Sequence, residues 1–325
     1  MGARWASASS RPLVANLSTG IPATTSATSV TSPVATITCG SRIPSSSRRC
    51  RPRGSSPSAA RAAGIGRREP RPCFGELLHL DGSRHRWLAL AQDGWHTLIA
   101  IVDDATNRLL YAQLVEGGES VEAVMMALRE VLVTYGIPGA LYTDRAHWAV
   151  HTPTAGGAHD DRKLTHVGRA LARLGIEHIL GYSPQARGRS ERANGTVQGR
   201  LVNELRVAGI RTLAAANRYI RERFLPDYNA RFTRPPAEPG STFVAVGRHD
   251  LEQILCHEEE RVVARDNTVT FGRLLFQIDK QPGRRRCAGL RVLVRRHLDG
   301  THSVWWGPRR LGRYSAGGRI ITLAA

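Results

Sequence analysis

Three acids stand where the chain around them changes from extended to turning. They are Asp81 in HLDGS, Asp144 in LYTDRA and Glu191 in SPQARGRSERANGTVQGRL. Three carboxylates brought together repel one another and make poor structural neighbours. A divalent cation resolves that conflict: Mg²⁺ (or Mn²⁺) takes hard oxygen ligands and keeps waters that a substrate phosphate can replace. Two such ions about 3.5–4 Å apart activate a water or a 3′-hydroxyl and stabilise the leaving oxygen of an in-line displacement. That is the chemistry of cutting and joining phosphodiesters. Around Glu191, Asn194 at i+3 and Gln198 at i+7 fall on the same helix face, and both are expected to contact DNA. Arg187, Arg189 and Arg192 surround that acid with positive charge that DNA phosphates can engage. A single Asp is most simply a solvated surface residue, and Asp103 and Asp104 read as turn formers. The weight therefore rests on order and placement together.

The elements that must position these acids are legible in the apolar pattern. GELLHLDGS reads as a strand ending at Asp81, Leu98–Val102 as a second apolar run, and RLLYAQLVEGG as a third. The first two runs are near-continuous, as in strands covered on both faces. Val121, Val124, Leu128, Val131, Leu132 and Tyr135 recur at helical spacing after a capping Ser120, and Gly136 and Pro138 end that helix. GALYTD is a fourth strand that delivers Asp144 at its end, LTHVGRALARLGI a helix and EHILGYS a fifth strand. Ser183-Pro184 opens a helix expected over 185–208, with Val197, Leu201 and Leu205 as its buried stripe. TLAAANRYIRERFLPDYNARF is a further amphipathic helix, and RPPAEPG a linker. This order predicts an α/β fold with the first and fourth strands as neighbours. Three antiparallel strands followed by parallel βα units is the order of a ribonuclease-H-like mixed sheet with helices on both faces.

Beyond the linker, RVVARDNTVTFGRLLFQI reads as a hairpin around Asp266-Asn267, and LRVLVRRHLDGTHSVWW as one around Asp299-Gly300. Two hairpins in so short a span predict a small antiparallel β-barrel. Residues 284–319 carry ten Arg, among them Arg284, Arg285, Arg286, Arg295 and Arg296, against the single acid Asp299. Trp305, Trp306 and Tyr314 are interleaved with them. That mix suits a phosphate-contacting surface, or places the aromatics in the small core. Cys256-His257 and the acids Glu258–Glu260 read as a solvated helix end. His147 and His151 have zinc-ligand spacing, yet the Gly and Pro nearby favour a loop, and no third ligand is evident.

The chain's 325 residues carry 46 Lys+Arg against 27 Asp+Glu, a formal net charge of +19. Such a balance calls for a polyanionic partner, most simply nucleic acid. The charge is uneven: +10 over residues 1–72, +2 over 73–240 and +7 over 241–325. Five scattered cysteines make no disulfide scaffold and contain no Cys-x-x-Cys pair. No apolar run is long enough for a membrane helix, and no glycine-rich phosphate loop calls for a nucleotide cofactor. Residues 1–60 hold 21 Ser or Thr and no apolar period, so 1–70 is expected to be disordered. Only Lys163 and Lys280 of the basic residues are lysine, which points to a GC-rich gene. Residues 1–65 then read as an out-of-frame remnant. The expected division is 1–70 disordered, 71–234 catalytic core, and 235–325 linker and basic barrel.

HLDGS, LYTDRA and YSPQARGRSERANGTVQGRLVNELR together resemble the DDE transposase and retroviral-integrase catalytic core. More narrowly, the chain resembles bacterial insertion-sequence transposases of the ISNCY kind, whose downstream pattern FLPDYNARF and RVVARDNTVTF follow. The resemblance spans about residues 70–315. It implies Asp81, Asp144 and Glu191 as Mg²⁺ ligands for DNA strand cleavage and strand transfer. It also implies element-end and target DNA as partners, a homo-multimeric synaptic complex, and a bacterial cytoplasmic, nucleoid-associated location. Residues 1–72 lack the helix-turn-helix pattern with which such transposases read element ends, so the chain is expected to be truncated or degenerate there. Two rival expectations are a hydrolytic nuclease of the same fold and a catalytically silent DNA-binding remnant.

Overall fold

A computed structural model of the chain describes residues 69–151, 163–181, 190–283 and 286–321, with side chains of 190–193 left outside that description. The segment expected to be disordered (1–68 of it) and the helix start at Ser183-Pro184 lie outside the described residues.

Five strands form one sheet: β1 (Leu77–Arg86), β2 (Trp95–Asp103), β3 (Leu109–Val115), β4 (Ala140–Thr143) and β5 (Glu177–Leu180). Their order is β3-β2-β1-β4-β5. β1, β2 and β3 pair antiparallel, while β1–β4 and β4–β5 pair parallel. This is the ribonuclease-H-like order expected from the sequence.

Helices cover both faces. On one face lie α1 (Val121–Thr134) and α2 (His166–Leu174); Val124, Leu128, Val131, Val167 and Leu171 pack there on Leu78, Leu80, Ile99 and Ile101. On the other face lies α3 (Ser190–Val207), whose Val197, Leu201 and Leu205 pack with Trp87, Leu98, Ala100 and Val102. β2 thus sends alternate side chains into two cores, which is why its sequence is apolar almost throughout. The expected caps are present: Ser120 accepts from Ala123 N, Thr165 accepts from Gly168 N, and Gly175 closes α2 at φ 70°.

The strand β1 differs from expectation. Asp81 does not end it; the strand runs on to Arg86, since β2 pairs with it as far as Arg86↔Trp95. β4 pairs with β1 only over Leu77–His79. Asp81 therefore sits mid-strand for one neighbour and just past the pairing for the other.

The segment expected as a single amphipathic helix is α4 (Leu213–Tyr219), a wide π turn (Ile220–Phe224) and α5 (Leu225–Phe232). The wide turn has a visible consequence. Asn217 bonds both N and O of Leu114, and Asn229 both N and O of Leu109, at 2.8–2.9 Å. Residues twelve apart in an unbroken α-helix point about 120° apart. The extra residue taken up by the π turn returns both amides to one face, where they satisfy the edge of β3.

A short helix α6 (Leu251–Ile254) leads into β6 (Cys256–Val262), β7 (Thr268–Phe271), β8 (Leu274–Gln277), β9 (Arg291–His297), β10 (His302–Trp306) and β11 (Arg309–Tyr314). The hairpin around Asp299-Gly300 is present, as β9 and β10. Around Asp266-Asn267 there is a tight turn, with Asn267 at φ 61°, but not the expected hairpin. Seven residue pairs join β6 to β9 instead, leaving β7 to pair forward with β8. The Cys256–Glu260 run is accordingly a strand and not a solvated helix end; Cys256 is fully buried and the Glu258 side chain is 7% exposed.

The sheets β11-β10-β9-β6 and β7-β8 are both open. Val269 and Phe276 from one, and Val292, Val294, Val304 and Tyr314 from the other, share a single core. Among the described residues no ladder closes them into the expected barrel. No described helix is long and apolar enough to cross a membrane.

Candidate active site

The register of β1 with β4 locates two of the three acids. His79 lies opposite Tyr142, so two residues further along each parallel strand stand Asp81 and Asp144. Neighbouring strands are about 4.8 Å apart. The rings of His79 and Tyr142 meet at 5.0 Å, tilted by 46°, on one face of the sheet, and the period of two puts Asp81 on that face as well.

Asp144 is the first residue past β4, and its backbone is pinned. Thr143 Oγ1 donates to the Asp144 carbonyl at 2.9 Å and lies 2.9 Å from His178 Nε2. With the hydroxyl proton spent on the carbonyl, Nε2 is the donor to Thr143. Burial holds the His178 pKa below the usual histidine value, favouring this neutral ring. Asp144 Oδ1 in turn accepts from Ala146 N at 3.0 Å, turning the chain away from the sheet.

α3 is keyed to β1 by two amides. Asn194 Nδ2 donates to Asp81 Oδ2 at 2.6 Å, and Gln198 Nε2 to Ser83 Oγ at 2.7 Å. Four helical residues rise about 6 Å and two strand residues about 6.7 Å, so the spacings match and the helix runs along the strand. Asn194 and Gln198, expected to contact DNA, both turn onto β1. Position 191 precedes Asn194 by one helical turn, so α3 carries the backbone of Glu191 past Asp81.

A fourth carboxylate lies here that the sequence reading missed. Glu119, just before α1, accepts from Trp148 Nε1 at 2.7 Å through Oε2, and its carboxylate lies directly on Gly82. Burial raises the Glu119 pKa and the Asp144 charge raises it further, against the opposing Trp148 bond and the His147 charge. EGGES gives no periodic signal; the signs available were a glycine after Asp81 and an indole in need of an acceptor.

Carboxylate oxygens of this kind suit Mg²⁺ or Mn²⁺. Among the described residues no three His, Cys, Asp or Glu side chains are grouped to hold a metal ion; the Glu191 side chain lies outside them. Asp103 and Asp104 are structural, as expected. Asp103 accepts from Gly75 N and from Thr106 N and Oγ1, and Asp104 accepts from Arg71 N and pairs with His79.

Of the expected DNA-contacting arginines, Arg286, Arg295 and Arg296 have described side chains. Arg187, Arg189, Arg284 and Arg285, and the side chain of Arg192, lie outside the described residues. Arg286 is described and engaged. Arg295 bonds Glu258 at 2.6 Å and Gln253 at 2.7 Å and lies 5.2 Å over Trp305, while Arg296 pairs with Glu122. Trp305 and Trp306 sit outside the small core, and Trp306 is exposed.

No family model matches the chain. It is similar in sequence to y4bF of Sinorhizobium fredii, an inferred transposase, at 33% identity over 238 residues, 73% of this chain and 51% of that one. It is also similar to the transposase for insertion sequence IS1202 of Streptococcus pneumoniae, at 33% identity over 164 residues, 50% of this chain and 34% of that one. The chain thus spans about half the length of the first relative and a third of the second. Among solved structures, the catalytic core domain of BIV integrase aligns with 46% of this chain and 85% of its own, at 18% identity and a TM-score of 0.31. The resemblance to transposases drawn from the motifs is borne out by these relatives.

Proposed function

We propose, from this likeness to transposases, that the chain carries the catalytic part of such an enzyme. It cleaves and joins DNA strands with Asp81, Asp144 and Glu191 as the ligands of Mg²⁺ or Mn²⁺. One observation carries the reading: Asp81 and Asp144 each lie two residues beyond the last pair, His79↔Tyr142, of parallel β1 and β4, and Asn194 ties Asp81 to the helix that bears Glu191.

Each residue then has a task. Asp81 and Asp144 present oxygen donors from adjacent strands. Asn194 holds the Asp81 carboxylate in one orientation, and Gln198 keeps α3 aligned with β1. Bound divalent ions would supply activation of a water or 3′-hydroxyl and charge neutralisation at the leaving oxygen. The proposed substrates are the ends of a mobile element and a target duplex, brought together by several copies of the chain in the bacterial nucleoid. Arg187, Arg189 and Arg192 are proposed to engage phosphates beside the acids. Residues 235–325 are proposed as the second DNA-contacting unit, through Arg284, Arg285 and Arg286.

The test is a joining assay. The full chain is incubated with a labelled 3′-hydroxyl oligonucleotide bearing the element's terminal repeat, supercoiled plasmid and Mg²⁺. Glu191→Gln and Asp144→Asn are run beside it. The expected result is joined product from the wild type, none from either variant, and unchanged non-specific DNA affinity in all three. Equal product from all three removes the triad. Cut but unjoined DNA makes the chain a nuclease. Binding with neither product makes it a silent DNA-binding protein.

A further inference from the structure

Glu119 has two neighbours that a surface carboxylate does not. Its Oε2 takes the indole proton of Trp148, a side chain 1% exposed. Its other oxygen and its stem lie against Gly82, so close that even a methyl group at position 82 would overlap them. Gly82 follows Asp81, and Trp148 is four residues beyond Asp144. Glu119 therefore touches β1 next to one acid and the loop after β4 next to the other.

Among the described residues, the loop after β4 also bonds to itself. Ala146 N bonds Asp144, Ala149 N and Val150 N return to Ala146 O, and Ala149 O accepts a long bond from Thr165. All but the last are internal to the loop. Trp148 is its main apolar anchor, set in the core with Val124, Leu128 and Val167. A buried indole N–H requires an acceptor, and Glu119 is the one provided. The Glu119 backbone is itself fixed, since Ser120 caps α1.

We infer that Glu119 is a positioning residue of the site: through Trp148 and Gly82 it clamps the Asp144 loop onto β1, setting the separation of Asp81 and Asp144. This rests on the reading of those two acids as cation ligands. The clamp acts through its hydrogen bond and shape, so an uncharged isostere preserves it. Gln offers the same acceptor oxygen to the indole and the same stem over Gly82, while Ala offers neither. Trp148→Phe keeps the ring in the core and removes the donor.

Two measurements on the full chain test this, with circular dichroism confirming that each variant is folded. The first is hydrogen–deuterium exchange of the amides of residues 144–150. Glu119→Ala and Trp148→Phe are expected to speed it about tenfold or more, with Glu119→Gln near wild type. The second is calorimetric titration with MnCl₂ alone, without DNA. The same two variants are expected to bind about tenfold more weakly, and Glu119→Gln within about threefold of wild type. Wild-type exchange in Glu119→Ala overturns the clamp. So does loss of Mn²⁺ binding in Glu119→Gln equal to that in Glu119→Ala, which would make the charge the active feature. If the wild type binds no Mn²⁺, the cation reading of Asp81 and Asp144 fails, and the exchange experiment alone decides the clamp.

Discussion

Asn194 places its amide 2.6 Å from Asp81 Oδ2, across 113 residues of sequence, and this contact joins the first strand of the sheet to the helix that carries Glu191. The donor is a neutral amide. It orients the carboxylate without cancelling the charge that a cation requires. Partners that orient metal-binding carboxylates typically matter 10–100-fold in affinity or activity.

Replacing Asn194 by Ala is therefore expected to lower strand joining by about one to two orders of magnitude. The stability cost should be only about 1–2 kcal/mol, as for one part-buried hydrogen bond. Asn194→Asp should be worse for activity, since it sets a like charge against Asp81. Joining rates and urea unfolding of both variants decide this; full activity in Asn194→Ala would remove the orienting role.

Gly82 is required by space and not by backbone conformation. Its Cβ position is filled by the Glu119 side chain, and position 82 lies inside β1, where extended backbone suits any residue. Gly82→Ala is expected to cost about 1–3 kcal/mol by overpacking. At this chain size that is roughly 2–4 °C in Tm for each kcal/mol. In Glu119→Ala, which empties the space, the same Gly82→Ala change should cost distinctly less. Scanning calorimetry of the double-mutant cycle reads the difference, and additive effects would refute the contact.

Glu258 ties the C-terminal sheets to α2. It pairs with Arg169 at 3.0 Å, Arg173 at 2.9 Å and Arg295 at 2.6 Å. Burial alone would raise its pKa; the bonds from Arg173 and Arg295 and the Arg169 charge outweigh burial and bring it to about 2. A carboxylate with a depressed folded pKa stabilises above its ordinary value and loses that contribution as pH falls toward the folded value. The stability lost in Glu258→Gln should thus be full above about pH 5 and shrink steadily toward pH 2. Removing one partner of a buried ion pair costs about 3–5 kcal/mol at neutral pH. Denaturant unfolding from pH 2.5 to 7 gives the curve; a difference that does not vary with pH would exclude the ion pairs as its source.

Asn229→Ala should release the Leu109 end of β3 while leaving the Leu114 end held by Asn217. Exchange at the Leu109 amide is expected to rise about tenfold or more, with that at Leu114 nearly unchanged. This corresponds to about 1–3 kcal/mol for an exposed backbone pair. A uniform rise at both ends would show that the two amides do not act separately.

Much of this molecule can be read along the chain. The doubly covered strand at 95–103, the helix capped by Ser120, the helix closed by Gly175 and the turn at Asp299-Gly300 are all local consequences of side-chain period and backbone preference. Two, three or four neighbouring residues decide each of them. The motifs holding Asp81 and Asp144 and the block around Glu191 are equally visible, and the chain order of strands sets Asp81 and Asp144 each two residues beyond the last pair of β1 with β4.

Only the tertiary structure decided what depends on which distant surfaces meet. β1 runs past Asp81 because β2 continues beside it, and β6 is a strand because β9 pairs with it, although its acids read locally as a solvated run. Asn194 and Gln198 carry side chains that suit DNA or protein equally; the matching rise of α3 and β1 gives them to Asp81 and Ser83. Glu119 has no local mark at all. It became part of the site because a glycine 37 residues earlier leaves room for it and a buried indole 29 residues later needs its oxygen. Neither relation is expressed in any sequence period, because each is a fit between surfaces that exist only once the sheet has formed.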